Sequence, residues 1–423
     1  MFPCWVIATT LLTAAAVAQD VSVTVTTSKP AYLAGEPVWV VVEAKNVGAD
    51  PIGYSDCDGH AQLTVNHDAR PSVNLRGCFS GTAGSGLGCG IDHPPLFGPG
   101  KSVSFRYLLK GYDLPPGDYT LHAVGRAGVR WKYYPGPIGP PQPGTPPPPP
   151  PPLPKHQDGD PVVGAEFDVQ IPLTVAAATE EELRHAYEPY FAAADSRNTD
   201  VNAMRQARET IAELAVPQFE RVIADFATGE KATPPTAVEG LRKIHTPESR
   251  RDLIALFHQS GDLQLRIQIA NALAEQATSE ELTFLAGLLP GYGEPMDDNI
   301  RHWAALGLGL IGGDSAAQAL SAAPAGGANY REAVAIALGN TKSASAVLPL
   351  IRMFGEGDPV RNSVCGALVE LTHYRFCDGS DDPAHPGVTQ AKWARWWFAN
   401  ASNIEIHGKD ACPVWNATLP QVP

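Results

Sequence analysis

Two periodicities divide this chain. Val21, Val23 and Val25 alternate with Ser22, Thr24 and Thr26, the period of a strand with one face buried. Similar patterns predict strands over 38–45, 61–65, 102–109, 119–125 and 166–175. In the last of these, Phe167, Val169, Ile171 and Leu173 face one way, and Pro172, which has no N–H to donate, belongs at an edge or a bulge. Leu114-Pro115-Pro116-Gly117-Asp118 reads as a turn, with Pro presetting φ and Gly free to adopt positive φ. From Thr179 onward the period lengthens. Thr179 stands three residues before Glu182, a capping box that opens a helix, and Thr278 with Glu281 repeats it.

The helical half repeats itself. Arg266, Arg301, Arg331 and Arg361 are spaced by 35, 30 and 30 residues, and the residues behind them match column by column. Three after each Arg comes Ile269, Ala304, Val334 or Val364; four after comes Ala270, Ala305, Ala335 or Cys365. Ala272, Gly307, Ala337 and Ala367 follow at six, and Leu273, Leu308, Leu338 and Leu368 at seven. Positions three, four and seven share one helix face, and the small residues let a neighbouring helix come close. A fifth copy precedes them, with Ala237, Val238, Gly240 and Leu241 in the same columns. Partner helices are expected over 248–258, 280–289, 315–320 and 345–354. Each pair forms a hairpin that must stack on its neighbours to bury its apolar face. The segment 180–227 fits the columns poorly, as a capping end of the array would.

These columns, above all Tyr330-Arg331 to Leu338 and Val360-Arg361 to Leu368, resemble the HEAT-like repeat family in its short, PBS lyase-type form. In the first half, Tyr32-Leu33-Ala34-Gly35-Glu36-Pro37-Val38 and Pro116-Gly117-Asp118-Tyr119-Thr120-Leu121 resemble bacterial immunoglobulin-like domains, without the Cys–Trp–Cys arrangement of antibodies. The expected architecture is multi-domain, all-β plus all-α. An immunoglobulin-like β-sandwich over 19–175 is followed by a HEAT-like α-solenoid over 176–400 and an irregular tail over 401–423. Within the sandwich, 134–161 is a Pro-rich loop; its unbroken run 146–152 favours a polyproline II rod of about 20 Å.

Charge narrows the partners. Of 423 residues, 31 are Lys or Arg and 45 are Asp or Glu, a net charge of −14. Residues 19–175 carry −3 and residues 176–423 carry −11. Nucleic acid, which needs clustered Lys and Arg, is a poor fit, and protein is the expected partner. Residues 1–18 hold a short apolar run closed by Ala16-Val17-Ala18, which reads as a secretory signal, though no Lys or Arg precedes the run. A secreted or periplasmic protein is therefore expected, with no membrane insertion. Cys57, Cys78, Cys89, Cys365, Cys377 and Cys412 follow the signal. Export makes disulfides the default, expected as Cys57 with Cys78 (Cys78 with Cys89 the alternative) and Cys377 with Cys412. Cys365, in a small-residue helix column, reads as a core thiol. No cysteine pair has zinc spacing.

No catalytic or cofactor motif stands out, so neither enzyme activity nor cofactor is expected. The longest repeat spacing inserts Tyr292, Glu294, Asp297 and Asp298, a candidate binding loop. Asp378, Asp381 and Asp382 offer hard oxygens to calcium, against the plainer reading of a solvated turn. The Arg series reads as structural, each side chain pairing with an acid or carbonyl of the next repeat. Trp393, Trp396, Trp397 and Phe398 close the last helix and are expected to seal the array rather than form a sugar platform. The reading is a non-catalytic binding or scaffolding protein. The alternatives are a proteinase-inhibitor-like or enzyme-associated module and a lyase-type repeat enzyme, for which His302, Asp297 and His373 would supply the acid–base groups.

Overall fold

A computed structural model describes residues 20–54, 60–65, 96–109, 114–130, 162, 165–291, 297–357, 359–374 and 386–403. They form two compact units, Met1–Gln218 and Phe219–Pro423.

The first unit is β-rich. Its strands are β1 (Val21–Thr27), β2 (Ala31–Leu33), β3 (Trp39–Asn46), β4 (Ile52–Tyr54), β5 (His60–Val65), β6 (Leu96–Phe97), β7 (Ser102–Leu108), β8 (Gly117–Arg126), β9 (Val129–Arg130) and β10 (Glu166–Ala176). The sheets run β1-β3-β7, β2-β10-β8-β5 and β6-β4-β9. Their inward residues, among them Val21, Val40, Val42, Leu63, Leu121 and Leu173, share one apolar core. All six predicted strands are present, within two residues of the expected ends. The four short strands β2, β4, β6 and β9 were not predicted, because two or three residues carry no readable period.

β2 is the instructive miss. Its sequence sits in an expected turn, yet Ala31, Tyr32 and Leu33 pair parallel with Thr174, Val175 and Ala176. That pairing stops at Thr174, so Pro172 faces β8 on one side and an open edge on the other, where its missing donor costs nothing.

Helices α1 (Glu180–Ala194) and α2 (Val201–Leu214) belong to this first unit. The Thr179 box opens α1 as expected. Gly35, at φ 87°, turns the chain after β2, and its carbonyl accepts the Tyr187 hydroxyl at 2.8 Å. Trp39 Nε1 donates to Tyr190 Oη at 2.9 Å, and the Arg106 guanidinium lies 4.7 Å from the centre of the Trp39 ring. Burial raises the Tyr190 hydroxyl pKa, and the Trp39 hydrogen bond partly offsets this. Of the segment 180–227 expected to cap the repeat array, residues up to 218 thus belong to the first unit, with α1 packed on the turn after β2 and on Trp39, while 219–227 belong to the second. Strand gives way to helix where the sequence places the change, but the compact unit continues to Gln218.

The second unit is helical: α3 (Glu220–Asp225), α4 (Pro234–Ile244), α5 (Pro247–Gln259), α6 (Leu263–Glu275), α7 (Leu282–Leu288), α8 (Asp297–Ile311), α9 (Gly313–Ser321), α10 (Ala328–Asn340), α11 (Val347–Met353), α12 (Val360–Thr372) and α13 (Pro386–Asn400). Helices α4, α6, α8, α10 and α12 each pack on the next of the series. Partner helices α5, α7, α9 and α11 fall where expected. Ile269, Ala304, Val334 and Val364 are buried, as are the four leucines of the next column. Both capping boxes form, and Pro247 sits in the first turn of α5 behind a Thr246 cap.

A further small-residue column, eight after each Arg, was not read from the sequence: Ala274, Gly309, Gly339, with Val369 last. It is what the next helix touches. A Cβ on Gly309 would lie 2.7 Å from Ala337 Cα, and one on Gly339 2.7 Å from Ala367 Cβ. A Cβ on Gly307 would lie 3.0 Å from Ala274 Cα. Column eight of one repeat therefore meets column six of the next, and glycine lets the backbones approach.

Candidate interaction surface

The charged groups singled out by the sequence are largely used within the fold. Arg301 is 7% exposed. Its Nε donates to the Leu289 carbonyl at 2.8 Å, Nη1 to Asp298 at 2.7 Å, and Nη2 to the carbonyls of Pro324 and Ala325. Its guanidinium lies 3.9 Å from the centre of the Tyr330 ring. Asp298 also accepts the Gly327 N–H at 2.6 Å. A Cβ on Gly326 would strike the buried Tyr330 ring, and one on Gly327 would displace the Asp298 carboxylate from its hydrogen bond. Asp298, a residue of the expected binding loop, lies in the first turn of α8 and joins it to the turn before α10.

The other arginines follow suit. Arg331 pairs with both oxygens of Glu356, which raises its pKa. The Arg266 guanidinium lies 5.6 Å from the centre of the Phe257 ring. Arg250, outside the predicted series, makes the most buried pair: its Nε donates to Glu281 at 2.9 Å. Burial pushes the Glu281 carboxyl up, but hydrogen bonds from Thr278 and Arg250 outweigh it and leave the pKa lowered. The structural reading of the Arg series therefore holds in part: Arg301 bonds carbonyls at the end of the preceding hairpin and before α10, whereas Arg331 pairs with an acid just after α11, its own hairpin partner.

Several expected sites fall elsewhere. Tyr292, Glu294, Asp378, Asp381, Asp382, Cys57, Cys78, Cys89, Cys377 and Cys412 lie outside the described residues, as do 1–18, the Pro-rich loop 134–161 and the tail beyond Asn403. Asp297 opens α8, its side chain outside the description. Among the described residues no group of three His, Cys, Asp or Glu could hold a metal. His302 Nδ1 lies 3.2 Å from the Asn329 carbonyl, and His373 ends α12 in the left-handed conformation, φ 55°. One expectation is overturned: Cys365 is half-buried and disulfide-bonded, not a core thiol. A helix column with alanine at three of its four positions looks the same from the sequence whether its cysteine packs or crosslinks.

Trp393 and Trp396 are buried, and Tyr374 stacks on Trp396 at 5.3 Å, so these tryptophans pack inside the last layer. Phe398 is 74% exposed.

Among the described residues of the second unit, an apolar patch is exposed on the solvent-facing side of α6, α8 and α10. Trp303, Leu306 and Leu310 recur at helical spacing along α8. Leu310 is 49% exposed and Ile336 on α10 is 40% exposed. Each is chain neighbour to the close contact between Gly309 and Ala337, so the two lie side by side over that seam. Asn299, Asn329 and Asn340 rim the patch, all exposed. Glu332 supplies its carboxylate, and it accepts a hydrogen bond from Ser363 at 3.0 Å.

Comparison with known proteins marks this same region. Residues 300–323, which cover most of α8 and all of α9, match the PBS lyase HEAT-like repeat. No curated protein matches the chain. Among solved structures, human deoxyhypusine hydroxylase in complex with glycerol is similar at 16% identity and a TM-score of 0.23, over 52% of this chain and 90% of that one. Salmonella alpha-2-macroglobulin reacted with methylamine is similar at 10% identity and a TM-score of 0.18, over 87% of this chain and 27% of that one. The native conformation of E. coli alpha-2-macroglobulin gives 9% identity and a TM-score of 0.16, over 88% and 26%. At such TM-scores the likeness bears on neither fold nor activity. No helix among the described residues is long and apolar enough to cross a membrane.

Proposed function

We propose that this is an exported, non-catalytic binding or scaffolding protein, with an immunoglobulin-like sandwich followed by a HEAT-like solenoid whose inner surface contacts protein. The observation that carries the reading is the contrast within the second unit. Its buried charges are consumed by pairs within the helical unit at Arg301, Arg331 and Arg250, while among the described residues an apolar patch on α8 and α10 is left exposed.

The solenoid reading draws on the glycine and alanine seam. It brings α6, α8, α10 and α12 closer together than their partner helices come to one another. A stack pinched along one layer bends toward that layer, which makes this face the inner one. The sandwich reading draws on the shared core and on Tyr119, whose hydroxyl donates to the Pro115 carbonyl four residues upstream at 2.6 Å, the habit of the tyrosine corner. The bonded Cys365 fits an oxidising compartment, and with it secretion or the periplasm.

Affinity capture after crosslinking in the native host tests the proposal. The expected result is a specific protein crosslinked to the second unit and lost from a Leu310→Glu chain. Turnover of a substrate that falls with His302→Ala, with no protein captured, would replace this reading with the enzyme alternative.

A further inference from the structure

The patch on α6, α8 and α10 differs in charge from the rest of the chain. A molecule of net charge −14 would be expected to offer acids to its partners. Yet along the outward positions of α8 and α10 the described side chains are Trp, Leu, Ile, His and Asn, with Glu332 the one carboxylate between the paired ends. On α6 the corresponding positions are Gln264, Ile267, Gln268 and Asn271, and Glu275 at its end pairs with Arg242 at 2.6 Å. Depletion of charge around an aromatic and aliphatic centre is what the buried middle of a protein interface looks like.

Size then decides the occupant. Helices of 13 to 15 residues are about 20 Å long and lie about 9 Å apart, so three present a face of about 500 Å². A stable dimer needs about 800 Å² from each partner, which argues against a second copy. A single helix or short strand of chain fits. Its charge follows from the same face: a Glu set against these residues would lose water and gain no counter-charge, and a Lys would meet only Glu332, whose carboxylate already accepts the Ser363 hydroxyl. We propose that this face takes an uncharged, apolar segment of a partner protein, anchored between Leu310 and Ile336. This rests on the protein-binding reading and adds the partner's chemistry to it.

The test pans a random phage-displayed library of peptides about 16 residues long, enough to run one helix of the face, against the intact chain. Leu310→Glu and Ile336→Glu chains serve as counter-selection. Both positions are solvent-exposed, and Leu310→Ser replaces Leu310→Glu if the latter fails to fold. The expected peptides are apolar with net charge near zero and bind the variants about tenfold more weakly. Their binding should change less than about twofold in 1 M salt, where screening acts over about 3 Å. Peptides that depend on Leu310 but are lysine-rich and released by salt would overturn the uncharged partner and leave the binding reading standing. Peptides that ignore both substitutions, or no enrichment, would overturn the site.

Discussion

The two units are held together on different length scales. In the second, helix packs on the next helix about 30 residues away, and the same contact recurs: column eight on column six. In the first, the joining contacts cross most of the unit. Tyr187 reaches Gly35 over 152 residues, and Trp39 reaches Tyr190 over 151. A repeat array spreads its stability over many similar interfaces, whereas the first unit concentrates it where α1 meets the chain after β2.

The largest expected effect tests that concentration. Tyr187 is fully buried, so Tyr187→Ala should cost about 3–5 kcal/mol. Hydrogen exchange should then rise in α1 and in β2–β3 together. Faster exchange in α1 alone would show that the helices are an appendage rather than part of the first unit.

Next comes the buried pair of the second unit. Arg250→Ala strands Glu281 without its partner and should cost about 3 kcal/mol by urea unfolding. The carboxyl's folded pKa is lowered, so its stabilisation is complete above the unfolded value of about 4.3 and is lost as pH falls through the folded one. Glu281→Gln should flatten that acid limb; an unchanged pH profile would remove the pair from the account.

Glycine distinguishes seam from surface. Gly309→Ala forces a Cβ against the Ala337 backbone, and overpacking of about 1–3 kcal/mol should outweigh the roughly 1 kcal/mol gained in helix propensity. Gly366, on α12, has nothing within 4 Å of an added Cβ and should gain stability as Ala. Equal effects at the two sites would deny the close approach. The smallest effect is at the ends: His245 and His373 hold positive φ, and Gly at either should raise stability by about 1 kcal/mol in thermal melts.

Sequence alone settled the periodic features. The strand ends, the capping boxes and the Ala/Leu columns follow from spacing, because alternation and the 3.6-residue turn are local rules that burial enforces at each position. The structural role of Arg301 and Arg331 was legible too, given an acidic domain in which anion binding made little sense. The column of Ala274, Gly309 and Gly339 was visible in the sequence, but its purpose required knowing which neighbour it touches.

Tertiary structure alone decided the rest. β2 is three residues with no pattern and forms only because β10 lies alongside. Helix α1 joined the β-rich part through two tyrosines whose partners lie far back in the chain. Asp298 turned from a loop acid into a clasp once Gly327 was placed against it, and Cys365 proved crosslinked. Periodicity says which face of an element is buried; it does not say against what, because that depends on residues brought near by the fold.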